Sequence, residues 1–292
     1  MIGRASVIRV AEEAAGCCEV WSLAPETAAS LARDRVIQNL QVHGFRAGLQ
    51  APEYVACAAA LASSTSLTRL SIEGYNAGFG DAGFAALGAS ARLTELNASA
   101  LNIGCAGVLG MLHNRPPPPP LLRLALPFNV IGDAGAAGIG TLLHLTKLNL
   151  RCNNLGDAAT PALAALPSLE SLDVSFNRIS PTGGAALLRS ASLRYLDFQL
   201  NSQVYAGAAP GDVDCRALHT ALHLNFSLES YILAWHEHNY VRRYVGVPRE
   251  LLRGRAAALA GRASTRHFVA RLPLWALRRL LAAMLPVYHV CC

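Results

Sequence analysis

A spacing of leucines that ends in an asparagine recurs every 24 residues, and it constrains the fold of this 292-residue chain more than any other feature. The spacing is L-x-x-L-x-L-x-x-N. Its four clean copies begin at Leu121, Leu145, Leu169 and Leu193 and end at Asn129, Asn153, Asn177 and Asn201. A fixed period of this length is typical of stacked repeats, in which each unit buries its apolar side against its neighbours.

Degenerate copies extend the series in both directions. Three precede the clean copies, with Leu40, Leu70 and Leu96 at the second leucine position, and one follows with Tyr231 at that position. In the three early copies an apolar or aromatic residue replaces the asparagine. The series therefore comprises about eight units between residues 37 and 240.

Each position of the repeat has a physical role. Apolar residues alternate with polar ones in the middle of the repeat, which predicts a short strand with Leu124 and Leu126 inward and Arg123 outward. The asparagine follows where the chain leaves the sheet, and its amide can bond backbone groups that would otherwise be buried without partners. Gly132 then frees the backbone, and we expect Asp133 to cap the helix that follows.

The spacing and the segment "IGDAGAAGIGTLL" resemble leucine-rich repeats of the helix-bearing, ribonuclease-inhibitor-like class, and the period is similar to that of the GALA-type repeats of plant-pathogen effectors. The resemblance implies an α/β solenoid, with a curved parallel sheet inside, helices outside and helical caps. It also implies a non-catalytic scaffold that binds a protein partner through its concave face, and an effector acting in a host cytosol. The predicted domains are an N-terminal cap (1–36), the repeats (37–240) and a basic helical C-terminal cap or tail (241–292).

Exposed strand positions and the position before each asparagine supply the candidate partner-binding residues. The strand positions carry charges of both signs, which suits a protein better than nucleic acid, because nucleic acid favours a continuous basic surface. The residue before the asparagine is mostly apolar: exposed, this row would anchor a partner, whereas packed against itself it would be part of the core. The candidates are Arg123, Phe128, Lys147, Arg151, Asp173, Phe176, Arg194, Tyr195, Asp197 and Trp235.

The sequence contains none of the common catalytic motifs. It has no nucleophile elbow, phosphate loop or paired-carboxylate motif, so we predict neither an enzyme nor a cofactor. His219 and His223 have helical spacing near Cys215, His236 and His238. These residues do not match the spacing of a known set of metal ligands, so we predict no metal site. The prolines at 116–120 predict an exposed polyproline segment, either a loop expansion or a ligand for a proline-binding module.

The basic residues concentrate at the C-terminal end, where residues 241–292 hold ten arginines against Glu250 alone. The principal interpretation is a unit that closes the last repeat. Residues 272–285 also resemble the helix of F-box and SOCS-box modules, which implies a substrate receptor of a cullin-type ubiquitin ligase. The ending "HVCC" resembles doubly prenylated proteins, which implies an adaptor lipidated at Cys291 and Cys292, with peripheral membrane contact through the basic tail.

The cellular location is predicted from what the sequence lacks. The N-terminal segment shows no signal-peptide pattern, and the most apolar stretch, 272–288, contains Arg278 and Arg279 in its middle. We therefore expect a cytoplasmic monomer without a membrane span.

Overall fold

A computed structural model describes residues 8–10, 16–74, 78–113, 118–201, 221, 230–234 and 241–245. They form one sheet of 11 strands whose spatial order is the order in the sequence. Strands β2 to β10 pair in parallel, whereas β1 and β11 pair antiparallel at the two ends. The strands are β1 (Ile8–Val10), β2 (Cys17–Val20), β3 (Asn39–Val42), β4 (Arg69–Glu73), β5 (Glu95–Ser99), β6 (Arg123–Ala125), β7 (Lys147–Asn149), β8 (Ser171–Asp173), β9 (Tyr195–Asp197), β10 (Ser230–Ala234) and β11 (Val241–Val245).

Helices follow β2 to β8 and return the chain to the start of the next strand. They are α1 (Pro25–Arg33), α2 (Ala51–Ala62), α3 (Gly80–Leu87), α4 (Cys105–His113), α5 (Gly132–Ile139), α6 (Thr160–Ala164) and α7 (Pro181–Leu187), and a 3₁₀ turn (Asp157–Ala159) leads into α6. Each helix packs on the next one along the chain. The predicted α/β solenoid is confirmed, and its strand–helix alternation already begins at residue 17.

The leucines of the repeat form a continuous core between the sheet and the helices. Leu124, Leu148 and Leu172 occupy one register along the sheet, and each is almost completely buried. Full burial of such a side chain contributes roughly 1.5 to 3 kcal/mol relative to leaving it in water. Because every repeat adds the same inward side chains, the core grows by one layer per repeat.

The asparagines hold consecutive repeats together, as predicted. The Asn177 Oδ1 accepts hydrogen bonds from the backbone N–H groups of Asn153 (2.9 Å) and Leu155 (3.0 Å) in the preceding repeat. Its Nδ2 donates to the Leu150 carbonyl at 2.9 Å and to the Val174 carbonyl of its own repeat at 2.9 Å. The amide thus satisfies backbone groups that the turn away from the sheet leaves without ladder partners.

At the two described positions where the asparagine is missing, an apolar side chain takes its place. Leu101 is fully buried there. Phe45 packs against the rings of Tyr54 and Phe79, with centroids at 5.0 and 5.6 Å. These two copies therefore replace amide hydrogen bonds with hydrophobic contact at the same place in the repeat.

The prediction that Asp133 caps its own helix is wrong. Helix α5 has no side-chain cap, and the Asp133 Oδ1 instead accepts the Gly156 N–H of the next repeat at 2.5 Å. Asp157 does the same for the Ser180 N–H, at 2.7 Å. The reason is that the first N–H groups of each helical segment have no intrahelical acceptor, and a carboxylate on the adjacent repeat is a strong one.

The polyproline prediction is partly wrong. Pro118 is half-buried, Pro119 is buried and only Pro120 is exposed among the prolines that the structure describes, while 116 and 117 lie outside the described residues. The Pro119 carbonyl accepts the Leu121 N–H at 2.7 Å, which joins this segment to the start of the next repeat. In the described part of the chain, no helix has the length and apolar character needed to cross a membrane.

Candidate partner-binding face

The outward side chains of the parallel strands form a groove of about 560 Å³. It extends from Asn39 on β3 to Tyr195 on β9, so seven strands contribute to it. Of the predicted candidates, Arg123, Lys147, Asp173 and Tyr195 line this groove. The repeat geometry thus brings together side chains that are up to 72 positions apart in the sequence (195 − 123).

Two arginines in the groove share one carboxylate. The Glu95 Oε1 lies 3.1 Å from the Arg69 Nε and 3.1 Å from the Arg123 Nη1. Since the three residues are in register on adjacent strands, the pairing follows from the sheet itself. Exposed ion pairs of this kind contribute little stability, roughly 0 to 1 kcal/mol, but they fix the side chains and leave one net positive charge.

Lys147 continues the same row on β7, next to Arg123. It is exposed, and no carboxylate of the described residues lies within 4.0 Å of its ammonium group. The groove therefore contains a cation that no described acid neutralises.

In a second row of residues along the strands, the side chains accept hydrogen bonds from the backbone. Asn149, Asp173 and Asp197 each accept the N–H of the residue two positions later, at 2.9, 2.9 and 3.1 Å. This Asx-type turn directs the chain off the sheet in three consecutive repeats. Asp173 has a structural task in addition to its place in the groove.

The prediction that Asp197 is exposed is wrong, because only 6% of the residue is accessible. Its carboxylate folds back to accept the N–H of Gln199 and, at 3.2 Å, the Gln199 side-chain amide. Burial raises the pKa of the Asp197 carboxyl above its usual range, and the Gln199 backbone N–H only partly offsets this. Asp197 is thus an internal acid and not part of the accessible face.

At the C-terminal ends of the strands, Arg151 lies between two exposed aromatic rings. Its guanidinium carbon is 3.8 Å from the centre of the Phe176 ring and 5.7 Å from that of Phe128. The rings are 38% and 52% exposed, respectively. Of the two predicted arrangements, an exposed row or a self-packed one, the structure shows the exposed row at these two positions.

The backbone that carries these rings has an unusual, left-handed conformation. Phe128, Cys152, Phe176 and Leu200, each directly before the asparagine, have φ between 52° and 58°. The left-handed conformation costs a residue with a Cβ roughly 1 to 2 kcal/mol. The residue types do not predict it, because none of the four is glycine, and the shared position before the asparagine is the only signal in the sequence.

The remaining candidates lie elsewhere. Arg194 directly precedes β9, does not line the groove, and has its Nε 4.0 Å from the Glu170 Oε1. Outside the described residues lie Trp235, Cys291, Cys292, the helix predicted near 272–285, and the group Cys215, His219, His223, His236 and His238.

A match to a family model supports the interpretation of the repeat. Residues 121–202, which contain all four clean copies, match the family model described as leucine rich repeat. The chain is also similar to a solved structure of an internalin C2 from Listeria monocytogenes, with 18% identity, a TM-score of 0.49, and coverage of 75% of this chain and 80% of that chain. No curated protein matches the sequence.

Proposed function

We propose that this chain, whose residues 121–202 match the leucine rich repeat family model, is a non-catalytic scaffold that binds a protein partner through the concave face of its repeats. The observation that carries the proposal is the groove, which outward side chains from β3 to β9 line. These are the side chains that the core does not use, since alternate positions of β3 to β8 are buried.

The chemistry of the groove favours a protein partner. The groove carries charges of both signs. Its positive residues are Arg69, Arg123 and Lys147, and its negative residues are Glu95 and Asp173. Nucleic acid would require an uninterrupted basic surface, whereas a protein can match charges of both signs. Polar amides and hydroxyls between the charges, such as Asn97 and Ser171, provide further hydrogen-bonding groups.

The finer parts of the proposal rest on the sequence. An effector role in a host cytosol is what the resemblance to GALA-type repeats implies, and a cytoplasmic, monomeric protein is the expectation drawn from the sequence itself. We include them in the proposal on that basis.

Affinity capture with mass spectrometry tests the proposal by charge reversal. Full-length protein is compared with Arg123→Glu/Lys147→Glu in the groove and with Arg33→Glu/Arg189→Glu, two exposed arginines at the C-terminal ends of helices. The partner should be captured by the parent and by the helix-side variant, and lost from the groove variant. Loss from the helix-side variant with retention by the groove variant would place binding on the other face and contradict the proposal.

A further inference from the structure

Arg151 differs from the groove arginines in its partners. Arg69 and Arg123 are paired with Glu95, whereas no carboxylate of the described residues lies within 4.0 Å of the Arg151 guanidinium. Its Nη1 donates to the Ser175 Oγ at 3.2 Å. A guanidinium has five N–H donors, so most of the hydrogen-bonding capacity of Arg151 is not used within the described structure.

The Arg151 side chain is held in one orientation before any ligand arrives. The Ser175 hydroxyl donates to the Asp173 Oδ1 at 2.6 Å, which leaves its lone pairs for Arg151. Stacking on Phe176 restrains the plane of the guanidinium. A side chain already ordered in this way loses little entropy on binding, and the free edge of the planar group matches a carboxylate in bidentate geometry.

Phe128 and Phe176 both have an energetically unfavourable conformation. Each combines left-handed backbone with an exposed ring, although glycine or asparagine would meet the backbone requirement more easily. Strained backbone and exposed aromatics next to an arginine are typical of binding sites, where aromatic and arginine side chains contribute most of the energy. The exposed parts of Phe128 and Phe176 are available to an apolar side chain of a partner.

A second unpaired cation lies on the same repeat. Lys147 precedes Arg151 by four positions, which separates their Cα atoms by at most about 13 Å. Asp173 faces the same groove, but it contacts Arg151 only through Ser175 and does not neutralise it directly. This repeat therefore presents positive charge at both ends of its outward surface, which is complementary to an acidic ligand.

We infer that the Phe128–Arg151–Phe176 stack anchors an acidic peptide segment of the partner, with an Asp or Glu carboxylate on Arg151 and an adjacent apolar side chain on the rings. The inference rests on the proposed function and specifies the chemistry of its ligand. Lys147 adds attraction for a second acidic side chain of the same segment.

Selection from random displayed peptides tests the inference without knowledge of the partner. A library of peptides of about 12 residues is selected on the full-length parent, on Arg151→Gln and on the matched control Arg189→Gln. The parent and the control should enrich peptides with Asp or Glu next to an apolar residue, and Arg151→Gln should lose that enrichment.

The strongest peptide is then synthesised and its affinity measured by fluorescence anisotropy. Arg151→Gln should weaken it by about tenfold or more, and Arg151→Lys by an intermediate factor, because lysine keeps the charge and loses the planar fork. Changing the acidic peptide residue to its amide should weaken binding to the parent equally, and should have little further effect with Arg151→Gln. The peptide-side change keeps the test valid if a protein variant is misfolded.

Each outcome separates this inference from the proposed function. Peptides that lack acidic enrichment, bind Arg151→Gln as tightly as the parent, or fail to appear at all overturn the acidic anchor. If binding is lost with Arg123→Glu/Lys147→Glu and is unaffected by Arg151→Gln, the concave face still binds and only the anchor is wrong. If only Arg33→Glu/Arg189→Glu abolishes binding, both are wrong.

Discussion

The Arg151 guanidinium carbon lies 3.8 Å above the centre of the Phe176 ring, in the following repeat, and 5.7 Å from the centre of the Phe128 ring, in the preceding one. Cation–π attraction decreases with distance, so the interaction with Phe176 is the stronger of the two. The arginine thus links three consecutive repeats on the outside of the sheet, while the asparagines link them on the inside.

A double-mutant cycle measures this asymmetry. Arg151→Ala and Phe176→Ala should show a coupling free energy of about 0.5 to 1 kcal/mol in urea unfolding. Arg151→Ala and Phe128→Ala should show a smaller coupling, because the ring is farther away. Equal couplings in the two cycles would contradict the geometry.

The asparagine hydrogen bonds make a strong stability prediction. Asn153 is fully buried, and its Nδ2 donates to the Leu126 carbonyl at 2.7 Å and to the Arg151 carbonyl at 3.0 Å. Asn153→Ala removes these two hydrogen bonds and the Oδ1 acceptor of the Ile131 N–H (3.4 Å), and should lower the free energy of unfolding by about 1 to 3 kcal/mol. The neighbouring Asn154 is exposed with φ of 57°, so Asn154→Gly should change stability by less than about 1 kcal/mol. An unchanged melting curve for Asn153→Ala would refute the assigned role.

The carboxylate between repeats gives a third prediction. Asp133→Ala removes the acceptor for the Gly156 N–H and should cost about 1 to 2 kcal/mol in chemical unfolding. Asp133→Asn keeps an oxygen at the same place and should cost less. If the two variants are equally destabilised, the lost charge and not the hydrogen bond is responsible.

Asp197 gives a prediction that depends on pH. Its carboxyl has a raised pKa in the folded protein, so ionisation of the buried group lowers stability as the pH rises from the ordinary value of 3.8 through the folded pKa. Asp197→Asn keeps an oxygen for the Gln199 N–H and carries no charge. The variant should therefore be more stable than the parent at neutral pH, and the difference should vanish below pH 3.8. Urea unfolding of both proteins across this range measures the difference, and a difference independent of pH would contradict the burial effect.

The sequence predicts the stacking of the repeats well, because the residues that determine it lie close together in each repeat. Leu124, Leu126 and Asn129 have the same spacing in each clean copy, and period-two alternation correctly identifies the inward leucines. The predicted solenoid and the role of the asparagines follow from these positions.

Interactions between repeats are harder to predict. Asp133 directly follows Gly132 at the start of a helix, which is where a local cap would stand, but its partner is 23 residues away. The inward turn of Asp197 likewise depends on Gln199, which outward alternation alone does not reveal. Arg151, Phe128 and Phe176 are candidates from the sequence, yet their stacking depends on left-handed backbone that the residue types do not predict.

The bonds of Asp133 and Asp157 have a consequence for how such a chain can change in length. Each carboxylate serves the unit that follows it, so at these two consecutive junctions a repeat receives from its predecessor what it supplies to its successor. If the 24-residue unit that contains Asp157 is deleted in phase, Asp133 takes the place of Asp157 as the acceptor of the Ser180 N–H. No group at that junction is then left without a hydrogen-bond partner. Duplication or loss of an aspartate-bearing repeat in phase can therefore lengthen or shorten the binding groove while leaving the hydrogen bonding of these junctions intact.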